Sequence, residues 1–103
     1  MILRIVKMSF PEEQLQEFIA IFNEAAPLIR QSKGCIELSL LQEDRNPSIL
    51  ATLSKWNSVN DLESYRQSEL FKTTWAKTKI LFNAKPEAWS FVEITNDQLR
   101  ITN

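Results

Sequence analysis

The chain has 103 residues, one cysteine, one glycine, no histidine and a formal net charge of −1. That length gives one domain with one modest core. The near-neutral, mixed charge offers no footprint for nucleic acid and no polybasic membrane patch. One Cys and no His remove the usual zinc sites, and a single Gly removes glycine-rich phosphate loops. A lone Cys35 makes no intrachain disulfide, no signal peptide is evident, and no apolar run reaches the roughly 18 residues of a membrane span. A cytoplasmic chain is expected.

Residues 2–8 read as a first strand. Leu3 and Ile5 share one face; Ile2, Val6 and Met8 share the other, with Arg4 among them. Apolar residues on both faces imply that both faces are covered. Pro11 suits the first position of a helix, where its missing N–H costs nothing. Glu12 and Glu13 follow in the first turn, at the positive end of the helix dipole. Leu15, Phe18, Ile19, Phe22, Ala25, Ala26 and Ile29 recur at spacings of three and four, which predicts an amphipathic helix of about five turns. Pro27 should bend or loosen it. Gly34 should end it, at or just beyond a left-handed C′ position.

Residues 35–42 alternate, with Ile36, Leu38 and Leu40 opposite Cys35, Glu37 and Ser39, and predict a second strand. Asp44 to Pro47 has turn chemistry. Residues 48–56 complete a hairpin. Ser58 with Asp61 resembles a capping box and opens a short helix through Leu62 and Tyr65. Ser68 caps a further helix with apolar positions Leu70, Phe71, Thr74, Trp75, Thr78, Leu81 and Phe82. Residues 87–95 alternate Trp89, Phe91 and Glu93 with Ala88, Ser90, Val92 and Ile94, a long last strand. Residues 96–103 form a tail, read as a short edge strand or frayed.

The order is β-α-β-β-α-β, the α+β, ferredoxin-like pattern with an antiparallel sheet and both helices on one face. Apolar residues on both faces of the first and last strands imply that the open sheet face packs against something, most simply a second copy.

The details resemble the antibiotic biosynthesis monooxygenase family. The matching pieces are Lys33-Gly34-Cys35 after the first helix, the strand ending at Trp56, Asn57-Ser58 opening the next helix, and Leu62, Tyr65, Ser68 and Phe71 at steps of three. They run from Met1 to about Thr95. The resemblance implies a dimeric α+β barrel, residues 1–95 as its domain, and a cofactor-independent monooxygenase acting on an electron-rich aromatic or quinol-type molecule. The alternative on the same scaffold is a non-catalytic small-molecule-binding or structural homodimer. Haem-degrading members hold iron through a histidine; the position matching it here is Trp75. Their tryptophan matches Tyr65, and their first-strand asparagine has no counterpart among residues 2–8. Quinol-oxidising members carry a histidine where this chain has Leu70. No cofactor and no metal are therefore expected, and no catalytic residue is assigned.

The candidate substrate-binding residues are Tyr65, Trp75, Arg4 and Phe22. Tyr65 and Trp75 have two readings, as walls of a pocket for a flat ligand or as core anchors. The second is the commoner fate of large aromatics. A pocket packed shut by Phe18, Phe22, Phe71 and Trp75 would favour the non-catalytic reading. Arg4, on an apolar strand, needs a partner such as Glu37, Glu93 or an anionic ligand. Asn23 and Asn57 are weaker candidates for orienting a substrate. Cys35, with no histidine near it in sequence, reads as a small buried hydrophobe.

Overall fold

The computed structural model describes residues 1–94. Strand β1 (Ile2–Ser9) leads through a single 3-10 turn (Glu12–Gln14) into helix α1 (Leu15–Arg30). Strands β2 (Cys35–Gln42) and β3 (Ile49–Trp56) form a hairpin. Helices α2 (Val59–Arg66) and α3 (Glu69–Lys79) follow, then strand β4 (Glu87–Phe91). The sheet is antiparallel in the order β2-β3-β1-β4. This is the α+β, ferredoxin-like arrangement expected from the sequence.

Register assigns the faces. Arg4 pairs with Ser54 and Ser90, and Val6 with Thr52 and Ala88. These residues share the helix-bearing face with Ile2, Met8, Leu50 and Trp56, which lie in one buried cluster with Phe18, Phe22, Ala25, Ala26 and Ile29 of α1. Ile5 pairs with Leu53 and Trp89, and Leu3 with Phe91, on the opposite face. Trp89 and Phe91 are 42 % and 50 % exposed. That opposite face carries an apolar patch of these residues, with Lys7, Glu37, Lys55 and Glu87 around it, and bears no helix among the described residues.

Several local expectations change. Pro11 sits one residue ahead of the 3-10 turn rather than inside a helix. Helix α1 carries Pro27 on an exposed position and runs on to Arg30. A β-bulge between Cys35 and Glu37 breaks the alternation predicted for β2. It leaves Ile36 47 % exposed, while Cys35 packs on the core beside Leu38 and Leu40. An extra residue moves everything before it to the other face. Strand β4 ends at Phe91, short of the predicted residue 95, and all of it is exposed. The predicted tail, 96–103, lies outside the described residues. Phe10, which strand periodicity passes over, is fully buried between Phe18 and Phe82.

Gly34 sits beyond the end of α1 with φ of 82°. The left-handed region favours glycine. A Cβ built there would overlap the side chain of Asp61 in α2. The Gly34 carbonyl also accepts the Asn57 N–H at 2.8 Å. The start of α2 is thus seated directly on this turn. Gly34→Ala should cost about 1–2 kcal/mol from the backbone alone, and more from displacing Asp61. Chemical denaturation of the variant beside the unaltered chain measures it; an unchanged midpoint would show that the turn relaxes freely.

Candidate functional site

Two serines set the helical side of the site. The Ser58 hydroxyl accepts the Asp61 N–H at 3.1 Å and caps α2. The Ser68 hydroxyl accepts the Phe71 N–H at 3.1 Å, caps α3, and donates to the Tyr65 carbonyl. Each hydroxyl satisfies a backbone donor that a helix start leaves free. Ser68 therefore breaks the helix between Tyr65 and Trp75. Phe71 fills the break: it meets Tyr65 edge-on at 5.4 Å and stacks on Trp75 at 6.0 Å.

Between these helices, α1 and the sheet lies a cavity of about 360 Å³. Arg4, Phe22, Tyr65 and Trp75 all line it. Phe18 and Phe71 line it too, without packing it shut. The sheet side is made of small or short residues, Thr52, Ser54 and Ala88 among them. Fully buried Trp56 forms part of the inner wall, its ring stacked on Tyr65 at 4.9 Å. The Trp56 indole N–H donates to the Ser54 hydroxyl at 2.9 Å, so this buried donor is satisfied.

Tyr65 has its ring clamped between Trp56 and Phe71. Its hydroxyl has no hydrogen-bond partner among the described residues and is not sealed away as a buried unsatisfied group. Burial, with the Cys35 thiol adding to it, pushes the phenol from its ordinary 10.0 up to about 12. Tyr65 therefore stays neutral, able to donate a proton in a hydrogen bond. Burial likewise raises the Cys35 thiol, which donates to the Glu37 carbonyl. Cys35 does not line the cavity.

Arg4 has neither of the protein partners expected for it. Glu37 is on the open face, 3.9 Å from Lys55, and Glu93 follows β4 at an exposed position. Arg4 donates instead to the Ser90 hydroxyl at 3.1 Å. Burial, and then the charge of Arg66, hold its pKa below the usual arginine value, with Glu63 acting the other way. Arg66, which was not among the residues named from the sequence, lines the cavity while pairing with Glu63 at 3.0 Å. A basic residue one position after Tyr65, at the end of a helix of two turns, was the available signal. Asn23 and Asn57 are exposed and take no part in the lining.

Fold and cavity together define a ferredoxin-like domain with an aromatic-walled chamber between helices and sheet. The sequence pattern described as antibiotic biosynthesis monooxygenase matches residues 1–77. The chain belongs to that family. Among solved structures it is similar to a conserved protein from Methanosarcina mazei Go1, with 25% identity and a TM-score of 0.83 over 87% of this chain and 90% of that one. It is also similar to a protein described as an antibiotic biosynthesis monooxygenase, with 14% identity and a TM-score of 0.85 over 92% of this chain and 100% of that one. A Mycobacterium tuberculosis protein shares 14% identity, with a TM-score of 0.84 over 92% of this chain and 96% of that one. The two similarities at 14% speak for the fold alone. A comparison with curated proteins finds no match.

Tyr65 is the only tyrosine, so its ionisation can be read directly from tyrosinate absorbance. The folded chain should titrate near pH 12 and the denatured chain near 10. Between those values the unfolded chain binds fewer protons than the folded one, so stability should fall as pH rises through that window. A folded-state midpoint near 10 would mean the phenol is freely solvated.

Proposed function

We propose that the chain is a cofactor-independent monooxygenase acting on an electron-rich aromatic or quinol-type molecule held in this cavity. The observation that carries the reading is the chamber itself. Phe18, Phe22, Phe71 and Trp75 border a space large enough for a small aromatic molecule instead of closing on one another. Concave, mostly apolar pockets with a few polar groups are where small molecules bind. Membership of the family supplies the reaction class. Tyr65, Trp75, Phe22 and Arg4 are the proposed substrate contacts: rings for the flat body, the phenol and guanidinium for its oxygens.

In such a reaction the substrate supplies the electrons. A quinol and one dioxygen give a hydroxyquinone and one water: a ring C–H becomes C–OH, both quinol O–H bonds are lost, and one dioxygen atom leaves as water. No outside reductant is needed. The protein's part is to orient the ring, exclude bulk water and hold the developing charge. The test is oxygen consumption against a panel of quinols and polyphenols with metals chelated. The reading expects uptake that saturates with one substrate class and falls at least tenfold in Trp75→Ala. No uptake across the panel, with tight binding of the same molecules, would favour the alternative of a non-catalytic binding homodimer.

The proposal includes a homodimer in the cytoplasm. No described helix is long and apolar enough to cross a membrane. Leu3, Ile5, Leu53, Trp89 and Phe91 form an apolar patch on the open sheet face, uncovered among the described residues. A second copy laid on that face would bury it and give the two-sheet barrel that the family resemblance implies. Sedimentation at micromolar concentration should give twice the 12.0 kDa chain mass. Trp89→Glu should shift the mass toward the monomer, because it would bury unpaired charge at the contact. A stable monomer of the unaltered chain would overturn the dimer.

A further inference from the structure

One hydroxyl on the floor of the cavity has its direction set by its neighbour. Ser54 and Trp56 lie two positions apart on β3, so their side chains share a face. Trp56 is fully buried, and Ser54, which lines the cavity, is 7 % exposed. The indole N–H can only donate, so their 2.9 Å contact makes the Ser54 oxygen the acceptor. The serine's own proton must therefore point away from Trp56.

The surrounding side chains do not take that proton. Across the strands on this face, Ser54 has apolar Leu38 on one side and Arg4 on the other. Arg4 has donors only, and it directs one of them away from Ser54, to the hydroxyl of Ser90 on β4. The bond from Trp56 is the one side-chain hydrogen bond of Ser54 among the described residues. Thr52, two positions earlier on the same face, therefore does not accept the proton either. A donor enclosed by apolar walls without an acceptor is unfavourable. The open direction is the cavity, where a bound molecule or a water supplies the missing oxygen.

Resting on the reading of this cavity as an aromatic-binding site, we infer that Ser54 is a ligand-contacting residue, donating its hydroxyl proton to a carbonyl oxygen of the bound molecule. A carbonyl suits this place because its oxygen accepts and brings no proton of its own to be placed. The contact is prepared in advance. Trp56 is held by its stack with Tyr65 at 4.9 Å and holds Ser54 in turn, so little rotational freedom is lost when the ligand arrives. Ser54 is a neutral donor on the inner, buried side of the chamber, whereas the side-chain bonds of Arg4 and Arg66 lie at exposed positions. The ligand is oriented accordingly. Its carbonyl end goes inward against β3, and its flat body lies among the rings of Phe22, Tyr65 and Trp75. The ligand class narrows to planar aryl ketones and quinone-type rings, preferred over hydrocarbons of the same shape.

Fluorenone, a flat ketone, and fluorene, the hydrocarbon of the same shape, are suitable probes. Equilibrium dialysis with the full chain gives their affinities. Infrared difference spectra of isotope-labelled fluorenone give its carbonyl stretch, which falls when the oxygen accepts a hydrogen bond. Bound to the unaltered chain, fluorenone should show a lowered stretch. Ser54→Ala should weaken fluorenone binding roughly three- to tenfold and return the band to its position in an apolar solvent. Fluorene should bind that variant as before, which shows that it is folded and its cavity intact. Ser54→Thr, which keeps a hydroxyl, should retain the shift. Should Ser54→Ala fail to fold, Ser54→Cys, which still accepts from Trp56 but donates weakly, should lose most of the shift. An unshifted band for bound fluorenone, with fluorene also bound, would overturn the Ser54 contact and leave the aromatic site standing. A shift that persists without the Ser54 hydroxyl and vanishes in Tyr65→Phe or Arg4→Met would overturn the assignment to Ser54. Failure of both probes to bind would overturn the inference together with the aromatic reading on which it rests.

Discussion

One unbroken sequence of ring contacts holds this fold around its cavity. Trp56 stacks on Tyr65, Tyr65 meets Phe71, Phe71 stacks on Trp75, and Trp75 meets Phe82. Phe82 meets Phe10, Phe10 stacks on Phe18, and Phe18 leans on Phe22. The path runs from β3 through α2 and α3 to the segment after β1 and into α1. Every helix is tied to the sheet through it. Each such pair adds about 0.5–1.5 kcal/mol beyond the area it buries. Rings are stiff, and a path of stiff contacts anchored at fully buried Trp56 and Phe10 cannot fold inward to fill the middle. The sheet contributes short side chains, Thr52, Ser54 and Ala88, where larger ones would close the space. The cavity thus results from rigid walls and a low floor.

The walls are placed by backbone chemistry at two points. Gly34 lets the chain turn tightly enough for Asp61 to lie against it, and its carbonyl ties down Asn57. That fixes where α2 starts and hence where Tyr65 and Arg66 arrive. Ser68 then ends one helix and starts the next, using its hydroxyl both as donor and as acceptor. The change of direction brings Phe71 between Tyr65 and Trp75. In an uninterrupted helix Tyr65 and Trp75 would sit about 80° apart around the axis; with the break, their shared border is made by a third ring.

Much of this was legible in the sequence because it rests on short-range signals. Alternation found the first three strands, periodicity found α1, and Ser58 and Ser68 announced their caps. The element order, and with it the fold, follows from those. The errors are equally physical. The bulge at Ile36 has no compositional mark, so Cys35 and Ile36 were read on each other's faces, while Leu38 and Leu40 beyond the bulge were read on the right one. Phe10 lies between a strand and a 3-10 turn, where no periodicity identifies a core position. Strand β4 was drawn too long because alternating residues continue past Phe91 after its pairing with β1 has stopped. The four residues named for the site do border one cavity. Arg66 was missed because helix-end polarity and exposure on a short helix look the same as a rim position. The partner of Arg4 was misjudged for a different reason. Side-chain type says that a guanidinium wants an acceptor, while only register says which one, and register put Ser90 beside it and Glu37 on the other face.

Strand β1 links the cavity to the open face of the sheet. Its even-numbered residues Arg4 and Val6 face the cavity, and its odd-numbered residues Leu3 and Ile5 face the open side. Strand β4 has the same division. Ser90 holds Arg4, while Trp89 and Phe91, on either side of it, are exposed on the open face. In the described sheet β4 pairs only with β1, along one edge. A strand held on one edge and exposed throughout is among the less stable parts of a fold. Covering Trp89 and Phe91 would therefore also steady Ser90, and through it the orientation of Arg4. The proposed self-association and the proposed ligand site would then be mechanically connected across the thickness of a single sheet. Such a coupling would need no movement of either helix layer, because the residues concerned are neighbours in one strand.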